Sequence, residues 1–310
     1  MRENDVFECA ADIAAVNGIL AAKSATAGET SQQSKSDARS AAHYIETRDG
    51  TQLYWREVGS GQPILFLNGW AMDTHMWDYQ MAAFADRGFR CLGIDRRGHG
   101  RSDQPAHGYD SDTLADDIAD VIETLDVSGL TIIGHSMASG EIVRYLSRHG
   151  EARVARAVLL APTTPCLGLA KDNPNGLPQE AFEAVRTAWK TDFPKWVADN
   201  TAQFFVPETS AAMMQWGANQ VLQISLPVAL ACNRAMAVAD FRAEMKKIGT
   251  PVLILHGDRD VSAPVDLTGK PSAELIPRCR FKLYEGAPHG LLYTHMGRVN
   301  ADILQFIGET

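Results

Sequence analysis

The chain is poor in the residue types that would give it a covalent or metal-bound frame. Its five cysteines, at 9, 91, 166, 232 and 279, include no C-x-x-C pair, and no histidine stands at zinc-finger spacing. Neither a disulfide framework nor a structural zinc site is indicated. Cys91 lies inside an apolar, strand-like run and reads as a small buried hydrophobe. Positive charge is also in deficit, Lys+Arg 29 against Asp+Glu 38, for a formal charge of −9. Such a surface repels phosphate backbones and anionic lipid, which argues against nucleic-acid and membrane partners. No apolar stretch approaches the roughly 20 residues that a membrane helix needs. No G-x-G-x-x-G follows the first strand and no Walker motif occurs, so a nucleotide cofactor has no evident seat. Ligands at paired metal-binding spacing are missing too, and the expectation is chemistry without metal or cofactor. No repeat of 20 to 50 residues is visible.

What is present is the make-up of a globular protein able to bury a large core, 45% hydrophobic and 22% charged over 310 residues. The N-terminal region stands apart. Ala10 to Ala27 is alanine-rich and Ala25-Thr26-Ala27 has the small residues of a cleavage site. Against a signal peptide, Glu3, Asp5 and Glu8 outnumber Arg2, and Asp12 and Asn17 interrupt the apolar stretch. A cytoplasmic location is expected, with a periplasmic or secreted one as the alternative if the segment does act as a signal. Residues 24 to 41, SATAGETSQQSKSDARSA, have no hydrophobic period. Residues 1–41 therefore read as a disordered extension ahead of a folded domain over 42–310.

Within that domain short apolar runs alternate with amphipathic helical stretches. YIET, LYWREV and ILFLN precede a helix from Met76 to Phe84; RCLGID precedes one from Thr113 to Leu125; LTIIG precedes one from Met137 to Ser147. VARAVLLA follows. After an interruption come PVLILHG, a helix near Asp266 to Leu275, FKLYEG, and a closing helix from Met296 to Ile307. Unbroken apolar runs such as ILFL and VLIL suit strands buried on both faces, and their alternation with helices predicts a mostly parallel central sheet covered by helices on both sides. The first two runs, joined through Arg48-Asp49-Gly50, read as an antiparallel hairpin. The interruption, about 163–247, carries Pro165, Pro174, Pro178, Pro194, Pro207 and Pro227. It reads as several short helices inserted between two strands as a cap.

The stretch LTIIGHSMASGEIVRYL places Ser136 at a sharp small-residue turn between a strand and a helix. A nucleophile elbow needs this arrangement, because the strained serine backbone tolerates only small neighbours and its hydroxyl must stand over a helix N-terminus. Gly134 fits G-x-S-x-G, with Ala138 where the second glycine would be. A serine attacks only if a base takes its proton. Of nine histidines, His289 in GAPHG stands on a loop between a strand-like run and a helix, where such a base belongs. His135 abuts the serine on the strand and should point away; His256, inside VLILHG, reads as a packed core residue; His295 reads as opening the last helix. The orienting carboxylate should follow the next strand, and HGDRD offers Asp258 and Asp260, which spacing does not separate. Backbone N–H groups of Met137 and of Trp70 in NGWAM are the expected oxyanion donors. Trp70 could also wall an acyl pocket or pack beneath the cap. The expected apolar lining from the cap is Phe204, Phe205, Met213, Met214, Trp216, Leu222, Leu226 and Leu230, several at the spacing of simple helix packing. The charges of DRRGHGRS read as braces between loops, with its glycines allowing a tight turn.

Taken together, NGWAMDTHMWDYQM, DRRGHGRSDQP, the GHSM elbow, MKKIGTPVLILHGDRD and APHG resemble the α/β-hydrolase superfamily, and within it the cofactor-free haloperoxidase, perhydrolase and aryl-esterase branch. The resemblance covers about Tyr44 to Ile307. It implies an α/β-hydrolase fold with Ser136 as nucleophile, Asp260 rather than Asp258 as acid, His289 as base, and Trp70 and Met137 as oxyanion donors. It further implies a serine carboxylesterase for small or aryl esters that works through an acyl-enzyme, with perhydrolase side activity when peroxide replaces water. The expected partner is a small ester; homo-oligomers are left open. Three departures lie near the oxyanion side: Asn68 in place of the usual His, and Ala138 and Ser139 in place of glycines. The competing reading is a hydrolase-fold protein that binds a small ligand with little or no turnover.

Overall fold

The computed structural model describes residues 43–309. The expectations of a disordered extension and of a signal segment over 1–41 lie outside the described residues. Eight strands form one sheet: β1 (Tyr44–Glu46), β2 (Gln52–Val58), β3 (Gln62–Leu67), β4 (Phe89–Ile94), β5 (Leu130–His135), β6 (Val154–Leu160), β7 (Val252–Gly257) and β8 (Cys279–Tyr284), in the order β1-β2-β4-β3-β5-β6-β7-β8. β1 and β2 are the expected antiparallel hairpin, β2 also runs antiparallel to β4, and every pairing from β4 through β3 to β8 is parallel.

The pleat divides the apolar runs between two cores. On β3, Leu65 and Leu67 face one side while Ile64 and Phe66 face the other; on β7, Val252 and Ile254 are set against Leu253 and Leu255. These inner strands are thus apolar on both faces because each face has a helical layer to meet. On the first face lie α2 (Ser111–Thr124) and α3 (Ala138–His149); on the second, α1 (Asp78–Ala85) and α10 (Met296–Gly308). Asp110 caps α2, its carboxylate accepting from the N–H groups of Asp112 and Thr113.

Between β6 and β7 stand α4 (Gln179–Thr201), α5 (Ala211–Val221), α6 (Leu226–Val238) and α7 (Arg242–Met245). The stretch α4 is two helical segments that meet at a kink, Asp192 lying outside helical geometry two residues before Pro194. A proline removes one helix N–H and clashes with the preceding turn, so a kink there lets the two halves share one course. Inside the bend, Arg186 on α4 is buried and donates to Asn233 Oδ1 on α6 at 2.6 Å. That contact fastens the two longest helices of the insertion to each other. The helix expected near Asp266 begins later, as α8 (Gly269–Leu275). Finally α9 (Leu291–Thr294) leads into α10 with His295 as its N-cap, as its position had suggested. Among the described residues no single helix is long and apolar enough to cross a membrane.

Candidate active site

Three residues far apart in sequence meet at the C-terminal ends of β5, β7 and β8. Ser136, immediately after β5, has φ +55°, a left-handed conformation that costs a non-glycine residue about 1–2 kcal/mol. The surroundings hold it there. Its N–H donates to Leu160 O at 2.9 Å. Its own carbonyl accepts from the Ser139 N–H (3.0 Å), the Ser139 hydroxyl (2.6 Å) and the Thr163 hydroxyl (3.3 Å). The Ser139 oxygen in turn accepts from the Thr163 N–H at 3.1 Å. Ser139, where a glycine was expected, therefore adds a brace to the strained turn. The methyl of Ala138 is fully buried in the core on the α3 face. Gly134 has no such room, since a Cβ there would lie 2.6 Å from Ile142 Cδ1.

The Ser136 hydroxyl lies 2.9 Å from His289 Nε2, and His289 Nδ1 lies 2.6 Å from Asp260 Oδ2. A carboxylate only accepts, so Nδ1 carries the proton and the bare Nε2 lone pair faces the serine hydroxyl. Asp260 is buried, yet its pKa falls well below the ordinary carboxylate value: the cost of burial is outweighed by His289 and by hydrogen bonds from His289 and His256. Oδ1 accepts from the N–H groups of Ser262 (2.9 Å) and Ala263 (2.8 Å), while Oδ2 receives both histidines. Asp258, two residues earlier, accepts the Gly286 N–H at 2.7 Å and shapes the turn after β8. Geometry thus separates the two aspartates that spacing alone did not.

Two histidines do more than packing suggested. His256 is buried as expected, but its Nε2 lies 3.0 Å from Asp260 Oδ2 and 2.9 Å from Ala263 O, so this N–H braces the carboxylate. His135 does not simply point away: its ring centroid lies 4.6 Å from that of His289, and its Nε2–H donates to the His289 carbonyl at 3.0 Å. Burial, with His289 beside it, pushes the His135 pKa down to about 3 and keeps it neutral. Neither role had a sequence signal beyond the adjacency of His135 to the serine and the i, i+4 spacing of His256 and Asp260.

The N–H groups of Trp70 and Met137 make no hydrogen bond among the described residues. Trp70 is tied to the insertion by its side chain, the indole N–H donating to Ala229 O (3.2 Å) and the ring stacking on Trp189 at 4.5 Å. This supports packing beneath the cap for the ring itself. Phe204 approaches His289 directly, with ring centroids 5.6 Å apart. Phe205, Met213, Met214 and Trp216 pack with Tyr293 in the core of the α1 and α10 side, whereas Leu226 and Leu230 join Trp70 and Trp189 in a separate cluster. Leu222 is a correction: at the end of α5 it is one of the exposed large hydrophobics and belongs to neither wall. Asn68 donates to Ile94 O at 2.8 Å and so ties the Trp70 loop to the end of β4. Among the described residues no group of three or more His, Cys, Asp or Glu side chains is placed to hold a metal ion.

A buried serine, histidine and aspartate joined in this order, beside two undonated amides, form an arrangement that can deliver a nucleophile to a carbonyl. The sequence pattern of the alpha/beta hydrolase fold matches residues 62–296, and the chain belongs to that family. More particularly, it is similar to the non-heme chloroperoxidase of Kitasatospora aureofaciens, 34% identical over 270 residues that cover 85% of this chain and 98% of that protein. It is likewise similar to the bifunctional esterase/perhydrolase of Acinetobacter calcoaceticus, 36% identical over 85% of this chain and 99% of that one. Among solved structures, a bromoperoxidase from Bacillus anthracis superimposes with a TM-score of 0.82 at 30% identity, covering 86% of this chain and 99% of that chain. These likenesses place the protein in the haloperoxidase and esterase branch that its motifs indicated.

Proposed function

We propose that the protein is a serine carboxylesterase for small or aryl esters, working through an acyl-enzyme, with peroxide able to replace water as the second nucleophile. The observation that carries this reading is the continuous path from Ser136 Oγ through His289 to Asp260, at 2.9 and 2.6 Å. As Ser136 Oγ attacks the ester carbonyl, its proton passes to His289 Nε2, and the Asp260 carboxylate stabilises the resulting imidazolium. The developing oxyanion is received by the N–H groups of Trp70 and Met137. Collapse breaks the bond to the alkoxide or phenoxide, which takes the proton back from His289. Water or hydrogen peroxide then gives its proton to the same nitrogen and attacks the acyl carbon; the bond from that carbon to Ser136 Oγ breaks, the serine takes the proton back from His289, and a carboxylic acid or a peracid is released. One site thus serves both outcomes, and the nucleophile that arrives decides the product.

Substrate preference follows from the walls. Phe204 stands beside His289, and the neighbouring side chains of the insertion are apolar. A charged acyl group would lose its hydration there without gaining a partner. The test is kcat/KM for p-nitrophenyl acetate, butyrate, octanoate and hemisuccinate, with and without peroxide, together with fluorophosphonate labelling. Acetate or butyrate should lead, and Ser136→Ala should abolish both turnover and labelling. A Ser136→Ala variant with parental turnover refutes the mechanism, and absence of labelling and turnover in the parent favours a binding protein. A preference for hemisuccinate refutes the apolar pocket.

A further inference from the structure

The motif Asp95-Arg96-Arg97-Gly98-His99, read from sequence only as a loop brace, lies behind the peptide that carries Trp70. Arg96 is 5% exposed. Its guanidinium donates to Gly69 O at 3.2 Å, to Asn68 O, and through Nε to Glu141 Oε1 at 2.7 Å. Glu141 is buried in the first turn of α3, the helix that begins just after Ser136. On the other side of Trp70, the Ala71 N–H donates to His99 Nε2 at 3.3 Å, and the His99 Nδ1–H is held by Arg97 O at 3.0 Å. Both peptides flanking Trp70 are therefore pinned by side chains of one motif.

A trans peptide directs its C=O and its N–H to opposite sides. Holding the Gly69 carbonyl toward Arg96 consequently fixes the Trp70 N–H on the side away from Arg96. A cation on that carbonyl also draws charge out of the amide and makes its N–H a stronger donor, most of all in a dry site. The same guanidinium reaches Glu141, so the Trp70 loop and the helix led by Met137 are fastened to one group. We propose that Arg96 is a positioning residue for ester turnover: it aims and polarises the Trp70 N–H and, through Glu141, sets the spacing of the two oxyanion donors. Its contribution is larger for the transition state than for bound ester, because the negative charge it supports exists only in the former. This inference rests on the reading of Trp70 and Met137 as oxyanion donors.

Removing Arg96 alone would strand a buried carboxylate, so the decisive variant removes the pair together, Arg96→Met with Glu141→Leu. With p-nitrophenyl acetate, kcat should fall at least tenfold, toward the roughly hundredfold that losing one oxyanion donor costs, while KM stays within about twofold. Inhibition by a trifluoromethyl ketone, whose adduct carries the oxyanion, should weaken by a similar factor. Binding of a non-reactive ester analogue should not. Arg96→Lys keeps the charge but cannot reach three acceptors at once, and should show the same split in smaller measure. A folded double variant with kcat within about threefold of the parent overturns the proposal, as do equal losses for ketone and analogue. If the double variant fails to fold, Arg96→Lys decides by the same two measurements. Parental turnover in Ser136→Ala would instead overturn the underlying reading of the site.

Discussion

Acidification should unfold this protein through two histidines that cannot take up a proton while buried. His99 and His135 are each 1% exposed. Burial and the adjacent Arg96 push the His99 pKa from its ordinary 6.5 to about 3, and burial with His289 nearby does the same for His135. A histidine whose pKa is depressed in the folded state costs nothing above 6.5, where both states are neutral. Below 6.5 the unfolded chain gains a proton that the native one refuses, until the native group itself titrates near pH 3. At pH 5 the penalty is about 2 kcal/mol for each histidine, or about 4 kcal/mol for the two. The perturbation that isolates this term is His99→Gln, which keeps an acceptor for the Ala71 N–H and has no proton to gain. Stability should be measured by urea unfolding at intervals from pH 7 to pH 5. The parent should lose about 2 kcal/mol more than the variant over that interval, since carboxylates titrate alike in both and cancel in the difference. Parallel curves for parent and variant would refute the reasoning.

Asp260→Asn should lower turnover by on the order of 10⁴, because the amide favours the wrong imidazole tautomer, whereas Asp258→Ala should cost about 1 kcal/mol of stability with little loss of kcat; steady-state kinetics beside thermal melts separates them. His256→Leu should fold yet lose about tenfold in kcat, the Asp260 carboxylate having lost one of its two histidine donors, and His256→Gln should recover part of that loss through its side-chain amide. Ser139→Ala should destabilise by about 1–2 kcal/mol, read from chemical unfolding, since the Thr163 N–H loses its acceptor and the Ser136 carbonyl a donor.

The fold was legible because its signal is periodic: unbroken apolar runs alternating with amphipathic helices need a mostly parallel sheet with a helical layer on each face. The strained turn at Ser136 was legible for a different reason. A strained turn admits few residues, so GHSMA in its strand-turn-helix setting restricts what Ser136 can be. Less could be read of where α4 bends, because the prolines do not fix which residue leaves helical geometry, here Asp192, two residues before Pro194. The contacts of Arg96 with the Trp70 loop and with Glu141, and of Ser139 with Thr163, were not legible, because their partners lie 24 to 45 residues away on other elements. His256 and Asp260 stand at i, i+4, but that spacing alone does not say that the imidazole braces the carboxylate.

In the proposed mechanism, what singles out one histidine as the base is not its residue type but where its lone pair points. Among the described residues four histidines are buried, His99, His135, His256 and His289. Each has one N–H committed to an acceptor: Arg97 O, His289 O, the Asp260 carboxylate with Ala263 O, and the Asp260 carboxylate respectively. The second nitrogen then decides what the ring can do. In His99 it faces the Ala71 N–H at 3.3 Å and Arg96 Nη1 at 3.4 Å, both of which occupy it as an acceptor. In His135 and His256 it has no partner and faces glycine, so closely that a Cβ at Gly69 would lie 2.6 Å from His135 Nδ1 and one at Gly269 would lie 2.3 Å from His256 Nδ1. Among these four, only in His289 does that lone pair meet a hydroxyl, that of Ser136. The glycines thus act by bringing backbone up to bare imidazole nitrogens and leaving no space for a competing proton donor. Gly69→Ala would force the Trp70 loop away from His135, and the loss should fall on kcat, because the displaced group is the Trp70 N–H rather than the wall that binds the ester. A kinetic comparison in which Gly69→Ala raises KM and leaves kcat intact would contradict this assignment.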